Sequence, residues 1–368
     1  MNFYDTYQKY EPIIKNDPFT KVTESRIEKF IYSSDESFDK LVSLLSPLAE
    51  KYLELMAKEA RKLTLKNFGK VIMLYTPMYL SNYCENRCIY CGFNAESEVE
   101  RQQLSFDEIE KEAETVAKTG IKHILILTGE SRKVSGIEYI KHSVKILKKY
   151  FSSICIEIYP LEKSEYAELI SSGVDALTVY QEVYDEEIYD KLHISGPKKD
   201  YNFRLLTPER AASANMRSIN IGALLGLNDW RQEAISLGLH AKYLQDKFPS
   251  TEFSISVPRI RPYKGENFKI EKVEDKNIVQ LIVALRLFLP RLGITLSTRE
   301  SEELRDNLIP IGITKISAGS TTKVGGHTIC ADQKPKSEQF AILDTRNVEE
   351  VKKMLLFKGY QPVFKDWQ

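Results

Sequence analysis

The stretches HILILTGE (residues 123–130), ICIEIYP (154–160) and ALTVYQE (176–182) decide the fold of this chain. Each is a short apolar, β-branched run, and an amphipathic helical pattern separates it from the next, which is typical of strand–helix units in a parallel sheet. Further runs of this kind are VIMLY (71–75), SINIGALLG (218–226), EFSISVPRI (252–260), GITLSTRE (293–300) and KISAGS (315–320). Strands that alternate with helices in this number predict an α/β fold, a (β/α)8 TIM-type barrel.

The segments between and before these runs carry helix signals. Ser105 stands before a helical pattern and Glu108 lies three residues further on, which predicts a capping box at a helix N-terminus. Gly120 and Gly173 stand where glycines end helices. Apolar residues at three- and four-residue spacing between residues 23 and 68 predict a helical arm in front of the barrel.

A doubly wound open sheet is the competing architecture. It is disfavoured because no Gly-x-Gly-x-x-Gly sequence follows any of the strands and no Walker sequence is present. The sequence therefore predicts three parts in this chain. They are an N-terminal helical arm at residues 1–68, the barrel at 69–325, and a C-terminal loop and helical extension packed on the barrel at 326–368.

The composition indicates a globular, ordered protein. Lys and Arg number 52 against 52 Asp and Glu, and 42% of the 368 residues are hydrophobic, which excludes the profile of a disordered chain. Zero net charge argues against the broad basic surface that nucleic-acid binding requires. No signal-peptide pattern opens the chain, and no run approaches the roughly 20 apolar residues of a membrane span. We expect a cytoplasmic protein whose five cysteines are thiols or metal ligands.

Several of the predicted strands end in polar residues. In a (β/α)8 barrel the carboxyl ends of the strands form the active-site face, so these side chains are expected to converge on one cavity. The groups concerned are residues 128–130, 181–182, 259, 297–300 and 317–320.

The sequence CENRCIYC (residues 84–91) follows the first predicted strand and contains Cys84, Cys88 and Cys91 at Cys-x3-Cys-x2-Cys spacing. Closely spaced thiolates in a chain otherwise poor in cysteine suit a shared soft-metal centre, either an iron–sulfur cluster or zinc. A 4Fe-4S cluster held by three cysteines would leave one iron open to an external ligand.

The zinc alternative requires one more ligand, because a structural zinc site is normally closed by four. Cys155 lies in a predicted strand and is interpreted as a small buried hydrophobic residue. His327 and Cys330, on a glycine-containing loop after the last strand, are the credible closing pair. A zinc-stabilised binding protein therefore stays open as a function of another class.

The cysteine spacing, the aromatic residue before the third cysteine and the position after the first barrel strand resemble the radical S-adenosylmethionine (SAM) superfamily. The resemblance implies that Cys84, Cys88 and Cys91 bind a 4Fe-4S cluster whose fourth iron is chelated by the amino and carboxylate groups of SAM. It also implies which residues hold SAM. They are Tyr90 against the cofactor, Gly129 and Glu130 at its amino group, Glu182 at its ribose and Arg204 at its carboxylate.

Longer strings narrow the resemblance: GPK (196–198), LTPERA (206–211), GALLGL (222–227), STRES (297–301), SAGS (317–320) and KDW (365–367). Together they resemble the thiamin-pathway tyrosine lyases, also called 2-iminoacetate synthases, over nearly the whole chain. One departure is His327, where a tyrosine is expected in relatives. The resemblance implies reductive cleavage of SAM to methionine and a 5'-deoxyadenosyl radical, which abstracts hydrogen from L-tyrosine. Cleavage of the Cα–Cβ bond would then give 2-iminoacetate (dehydroglycine) and p-cresol.

A free amino acid substrate needs a cation for its carboxylate, and a bidentate guanidinium suits that role. We predict that Arg299 at the end of the seventh strand fills it, with the hydroxyls of Ser297 and Ser320 in support. Arg259 and Arg261 are second candidates, although the prolines that flank them are also typical of a rigid turn. The further residues expected to line this cavity on the cofactor side are Tyr159 and Gln181. No acid–base residue for the tyrosine phenol is identified by the sequence.

The resemblance also implies partners and leaves related functions open. Thiazole synthase would receive the unstable imine directly, and a reduced flavodoxin or ferredoxin would supply electrons. The hydrogenase-maturation tyrosine lyase, which yields carbon monoxide and cyanide, carries a C-terminal extension with a second cluster, whereas no cysteine follows Cys330 here. A tryptophan-specific relative is the other open function within the superfamily.

Overall fold

The computed structural model describes residues 2–261, 268–328 and 339–365. The barrel strands are β1 Val71–Ser81, β2 His123–Thr128, β3 Ser153–Glu157, β4 Ala176–Glu182, β5 Ser218–Ala223, β6 Glu252–Ser256, β7 Gly293–Leu296 and β8 Lys315–Ser317. Each strand pairs in parallel with the next, and β1 also pairs with β8, which closes the barrel. These are the runs singled out in the sequence, so the predicted (β/α)8 barrel is confirmed.

Helices precede, separate and follow the strands. They are α1 Phe3–Lys15, α2 Glu24–Tyr32, α3 Phe38–Leu45, α4 Leu53–Phe68, α5 Phe106–Ala117, α6 Ile137–Leu147, α7 Lys163–Ser172, α8 Glu186–Leu192, α9 Tyr201–Leu205, α10 Thr207–Ser213, α11 Trp230–Lys247, α12 Asp275–Phe288, α13 Glu302–Leu308 and α14 Val348–Phe357. Short 3-10 helices lie at Pro47–Tyr52, Pro197–Lys199 and Ile309–Ile311. Among the helices of the described ranges, none is long and apolar enough to cross a membrane.

The local helix signals are found where the sequence places them. Ser105 and Glu108 form the predicted capping box at the start of α5, each side chain accepting a hydrogen bond from the other residue's backbone N–H. Gly173 ends α7 in the left-handed conformation, with φ of 117°. Local chemistry alone therefore determines these helix ends.

The N-terminal helices form a layer against α11 and α12. The side-chain amide of Gln280 in α12 donates to the carbonyls of Leu44 at 3.0 Å and Ser46 at 2.8 Å, which ties α3 to the barrel. In α11, Gly238 leaves room for Leu41, because a Cβ there would lie 2.9 Å from the leucine side chain. The arm and the barrel share one hydrophobic core.

Two features of the strands differ from the sequence prediction. After α14, Gln361–Val363 forms a short strand, β9, which pairs in parallel with the start of β1. The C-terminal extension, predicted as loop and helix, therefore also contains a strand. The first strand is longer than predicted and continues through Pro77 to Ser81, paired with β2. The predicted division at residues 69 and 326 stays a prediction.

A buried ion pair ties the segment before α14 to the barrel. Arg305 of α13 and Asp344 are 1% and 0% exposed and form this pair. Arg305 also donates to the carbonyl of Ser317 at the end of β8, and the backbone N–H of Leu343 donates to the carbonyl of Thr298 at 3.0 Å. These contacts hold the chain after residue 339 at the carboxyl ends of β7 and β8.

Candidate active site

A cavity opens at the carboxyl ends of the barrel strands. Polar side chains from β4 and from the residues after β7 and β8 reach into it, as the strand-end pattern predicts, whereas residues 128–130 and 259 do not line it. The residues singled out in the sequence that line it are Tyr90, Cys91, Glu182, Arg261, Ser297, Arg299 and Ser320. The third cysteine of the triad and the predicted substrate residues therefore share one chamber, while their chemical roles stay predictions.

The end of β2 clamps the loop that carries the cysteines. The backbone N–H of Gly129 donates to the carbonyl of Ser81 at 2.9 Å, and that of Glu85 donates to the carbonyl of Glu130 at 3.0 Å. The two segments are so close that a Cβ on Gly129 would lie 2.3 Å from the carbonyl oxygen of Tyr83. Glycine at position 129 is therefore required for this approach, independently of any contact with a ligand.

The three thiols of the triad lie close enough to influence one another electrostatically. Burial, and then the neighbouring Cys91, raises the pKa of the Cys84 thiol. Burial also raises the pKa of Cys88, although Lys198 acts in the opposite direction. Buried thiolates need a compensating cation, which a bound metal centre provides. Within the described ranges no group of three or more His, Cys, Asp or Glu side chains is arranged to hold a single metal ion.

A buried histidine, which the sequence analysis missed, fixes the aromatic residue of the triad. The hydroxyl of Tyr90 lies 2.7 Å from Nε2 of His193, and Nδ1 of His193 lies 2.7 Å from the carbonyl of Tyr189. Burial, and then Lys198, lowers the pKa of His193 to about 2, so the imidazole is neutral. Since Nδ1 must donate to the carbonyl, Nε2 accepts from Tyr90. The orientation of Tyr90 is thus determined by residues about a hundred positions away.

A polar network joins the predicted SAM residues to one another. Arg204 forms an ion pair with Glu130 at 2.8 Å and lies 3.7 Å from Glu182. Lys198, to which the sequence analysis assigned no role, forms an ion pair with Glu182 at 2.6 Å and also lines the cavity. Burial alone would raise the pKa of Glu182, but Lys198 and Arg204 outweigh burial and lower it. Glu182 is therefore ionised at the cavity wall.

Backbone geometry brings this network to the cysteine loop. Glu182 has a φ of 73°, a conformation that non-glycine residues adopt at a cost and that recurs at functional sites. Gly196, in the GPK string, has a φ of 99°, and a Cβ there would lie 2.4 Å from Oδ1 of Asn86. The same Asn86 oxygen accepts the backbone N–H of Lys198 at 2.8 Å. The GPK string therefore packs directly on the loop between the first two cysteines.

The arginines that compete for the substrate carboxylate have different surroundings. Arg259 pairs with Glu300 and Asp275, and Arg261 pairs with Glu300, so the two second candidates already share two carboxylates. The guanidinium of Arg299 instead lies 3.3 Å from the ring centre of Phe340, and no carboxylate of the described residues pairs with it. Arg299 is thus the arginine of this group that is available to an anionic ligand.

The serines predicted to support Arg299 line the same cavity. The hydroxyl oxygen of Ser320 is buried and has no hydrogen-bond partner in the part of the chain that the structure describes. Ser297 accepts a hydrogen bond from the backbone N–H of Arg299 at 3.4 Å, which leaves its own proton available. Buried hydroxyls without partners are costly, so a bound ligand would stabilise this wall.

Two residues expected in the cavity lie outside it, and that prediction of their position is wrong. Tyr159 points to the outer layer, where its hydroxyl donates to the carbonyl of Ser135 at 2.8 Å. Gln181 points between β4 and the surrounding helices, toward His240, because alternate residues of a strand face opposite sides and its neighbour Glu182 faces inward.

The residues of the zinc alternative are also used elsewhere. Nε2 of His327 lies 2.8 Å from the carbonyl oxygen of Pro77, and its backbone N–H donates to Glu112. Cys155 faces the barrel interior and lies 3.4 Å from the hydroxyl of Thr178. Cys330 lies outside the described residues.

Glu157 is a cavity residue that the sequence analysis did not single out. It ends β3, and its side chain lines the same chamber as Arg299. Burial, and then Glu182, raises the pKa of Glu157 to about 7. The signal was present in the sequence, because Glu157 stands at the end of the run ICIEIYP, where a barrel presents its functional residues.

This chain is similar in sequence and in structure to proteins of known families. Residues 78–237 match the Radical SAM superfamily, and residues 256–361 match the Biotin and Thiamin Synthesis associated domain. The 2-iminoacetate synthases of Salmonella typhimurium and Escherichia coli are each 39% identical to this chain over 346 residues, covering 94% of this chain and 91% of the relative. The FeFe-hydrogenase maturase HydG from Carboxydothermus hydrogenoformans is similar in structure, with a TM-score of 0.87 and 32% identity, covering 99% of this chain and 83% of that chain.

Proposed function

This chain belongs to the 2-iminoacetate synthase family of radical SAM enzymes, and on that premise we infer that it is a tyrosine lyase. It cleaves the Cα–Cβ bond of L-tyrosine to 2-iminoacetate and p-cresol, and it converts SAM to methionine and 5'-deoxyadenosine. The 2-iminoacetate is used to build the thiazole moiety of thiamin. Identity favours this function over the hydrogenase-maturation type, at 39% for the synthases against 32% for the maturase.

The enzyme uses a 4Fe-4S cluster and SAM. The residues present fit them, because Cys84, Cys88 and Cys91 offer three thiolates on one loop and the third opens into the cavity. When bound, the cluster and SAM supply the radical that starts the reaction. We propose these three cysteines as the cluster ligands, and with them the zinc-stabilised binding protein is set aside.

We propose that the polar network holds SAM on the β2–β4 side of the cavity. Tyr90 offers an aromatic face whose hydroxyl is already satisfied by His193, so the ring is fixed in place. Glu182, ionised and turned inward, suits the hydroxyls of a ribose. We assign Arg204 to the carboxylate of SAM on the resemblance alone, since its guanidinium pairs with Glu130 and borders the same space behind β4 as Gln181. We assign the backbone of Gly129 and Glu130 to binding the amino group of SAM.

One observation carries the substrate site: the guanidinium of Arg299 lies in the cavity without an acidic partner among the described residues. An arginine in such a place binds a carboxylate in two parallel hydrogen bonds. We propose that Arg299 holds the carboxylate of tyrosine, and that the hydroxyls of Ser297 and Ser320 donate to it from either side. The chain thereby orients the substrate before any bond is broken.

We further propose two partner proteins. A reduced flavodoxin or ferredoxin supplies the electron that cleavage of SAM requires. Thiazole synthase receives 2-iminoacetate directly, since an imine released into water hydrolyses. An increase in thiazole yield when thiazole synthase is present during turnover, compared with its addition afterwards, would support direct transfer. Equal yields in both orders of addition would contradict it.

The activity is tested by anaerobic incubation of the iron- and sulfide-reconstituted protein with SAM, dithionite and L-tyrosine. We expect 5'-deoxyadenosine, p-cresol and glyoxylate, the hydrolysis product of the imine, and none of these from a Cys88→Ala variant. Carbon monoxide and cyanide would instead assign the hydrogenase-maturation type, and a parallel incubation with tryptophan tests the tryptophan-specific type. A cluster-loaded protein that forms no 5'-deoxyadenosine would refute the proposed function.

A further inference from the structure

The cavity has two unlike walls. The residues after β7 and β8 form a polar wall with the guanidinium of Arg299 and the hydroxyl of Ser320. β2 contributes the side chains of Leu125 and Leu127 to an apolar wall, which the carboxyl of Glu157 interrupts at the end of β3. In the closed ring of eight strands β3 and β7 stand four positions apart, so Glu157 at the end of β3 and Arg299 after β7 lie on opposite sides of the barrel mouth. A ligand that fits both is anionic at one end and apolar along its length, with a polar group at the other end.

Glu157 has no partner in the structure that explains its position. Its carboxylate accepts no hydrogen bond and forms no ion pair with any residue in the described ranges, although it sits in a cavity wall rather than at the surface. Glu182, the neighbouring carboxyl of the cavity, lies 2.6 Å from Lys198 and is neutralised by it. Glu157 is partly buried in the cavity wall and its carboxyl has no partner among the described residues, so it is suited to a donor on the ligand.

We propose that Glu157 selects tyrosine by accepting a hydrogen bond from the phenol hydroxyl of the substrate, at the end of the cavity opposite Arg299. The proposal rests on the proposed function and adds the contact that distinguishes tyrosine from phenylalanine. A substrate whose carboxylate is held by Arg299 directs its side chain across the barrel toward β3. The ring then packs against the leucine side chains of β2, and the para hydroxyl faces the carboxyl of Glu157.

The electrostatic surroundings agree with this role. Burial, and then the repulsion from Glu182, raises the pKa of Glu157 to about 7, whereas Arg299 opposes the shift. A carboxyl with this pKa is readily ionised at neutral pH when a donor binds to it, and hydrogen bonds to ionised acceptors are the strong ones. The titratable and charged groups that face it are Tyr75 and Tyr79 on β1, Cys155 on β3, Tyr180 and Glu182 on β4, Arg299 after β7, and Lys198 and Arg204 after α8.

The test measures binding rather than turnover. The reconstituted holoenzyme, saturated with SAM and kept without reductant, is titrated with L-tyrosine and with L-phenylalanine in a calorimeter. We expect the wild type to prefer tyrosine, and Glu157→Met to lower that preference by about tenfold or more through weaker tyrosine binding alone, because a hydrogen bond to a charged acceptor is lost. Glu157→Gln keeps an uncharged acceptor of the same shape, so it should retain part of the preference.

Circular dichroism and SAM binding establish that each variant is folded, and Glu168→Gln, an exposed carboxylate on α7, serves as the matched control that should change neither affinity. Should Glu157→Met not fold, a several-fold loss of preference in Glu157→Gln supports the proposal and an unchanged preference contradicts it. Equal weakening of both amino acids would overturn it, since Glu157 would then act on the ammonium group or the fold. A wild type that binds both amino acids equally also overturns it and leaves the proposed function standing. A wild type that binds neither refutes the proposed function itself.

Discussion

The substitution Gly129→Ala should break the cluster site while leaving the barrel intact. A methyl group at this position would lie 2.3 Å from the carbonyl oxygen of Tyr83 and 3.2 Å from the Cβ of Cys84, where ordinary contacts begin at 3.4 Å. The shortfall of 1.1 Å (3.4 − 2.3) falls on backbone, which cannot rotate away as a flexible side chain would. The loop that carries Cys84 must therefore move by about 1 Å, twice the roughly 0.5 Å within which a functional site must be held.

We expect this overpacking to cost about 1–3 kcal/mol of stability, which a barrel of this size tolerates. The readouts are iron and sulfide per chain after reconstitution and the amount of 5'-deoxyadenosine formed under reducing conditions. Iron should fall clearly below the wild-type content, and 5'-deoxyadenosine by about a hundredfold, the effect that a 1 Å misplacement can have on catalysis.

Gly136→Ala is the matched control for this experiment. Gly136 is the N-cap of α6 with an ordinary φ of −66°, and a Cβ there would lie 3.0 Å from the carbonyl oxygen of Arg132, only 0.4 Å (3.4 − 3.0) inside ordinary contact. It should retain the wild-type iron content. A Gly129→Ala protein with wild-type iron content and wild-type 5'-deoxyadenosine formation would refute the reasoning, because it would show that β2 does not constrain the cysteine loop.

Three further predictions concern the substrate cation, a buried ion pair and a buried acid. Arg299→Lys should weaken L-tyrosine binding to the SAM-loaded holoenzyme by about tenfold or more, because lysine cannot form the bidentate pair; calorimetry should show unchanged SAM affinity, and unchanged tyrosine affinity would argue against the role of Arg299. Asp344→Asn should lower the free energy of unfolding by about 3–5 kcal/mol in a denaturant titration, because it leaves the guanidinium of Arg305 buried without its counter-ion; a loss below about 1 kcal/mol, the value of a surface pair, would contradict this. Burial raises the pKa of Glu233 to about 8, well above its usual value of about 4.3, so the folded protein binds more protons than the unfolded one between these values and its stability falls as pH rises through that window. The melting temperature of Glu233→Gln relative to wild type should accordingly increase from about pH 5 to pH 8, whereas a constant difference would exclude this titration.

Much of the fold could be predicted because its signals are local. The apolar runs that become β1 to β8 and the helical patterns between them follow from side-chain periodicity over a few residues. The capping box of Ser105 and Glu108 is likewise a property of four consecutive residues. The strand β9 could not be predicted in this way, since three residues form a strand there only because the start of β1 offers them a pairing edge.

The candidate site could be predicted only in part. The cysteine triad is visible because its ligands are neighbours in sequence, and Arg299 because it stands in a run that ends a strand. His193, which fixes Tyr90, was not found from the sequence, since its hydrogen bond with Tyr189 is local but the one with Tyr90 joins residues that meet only in the folded chain. The position of Glu157 at the end of a strand indicated that it could lie at the active-site face. The sequence did not indicate which residues would surround it there.

The sequence by itself determined the barrel, the helices around it and the loop that presents three thiols after the first strand. Only the tertiary structure decided which polar residues face the cavity. Gln181 and Glu182 are adjacent at the end of one strand, yet only Glu182 lines the cavity, because alternate residues face opposite sides and the folded barrel decides which side is the interior. Arg261 and Arg299 line the same cavity, but one is neutralised by Glu300 and the other is left for a ligand. The physical reason is that the direction of a side chain and the charges that surround it depend on residues from distant segments. No local sequence pattern encodes these contacts.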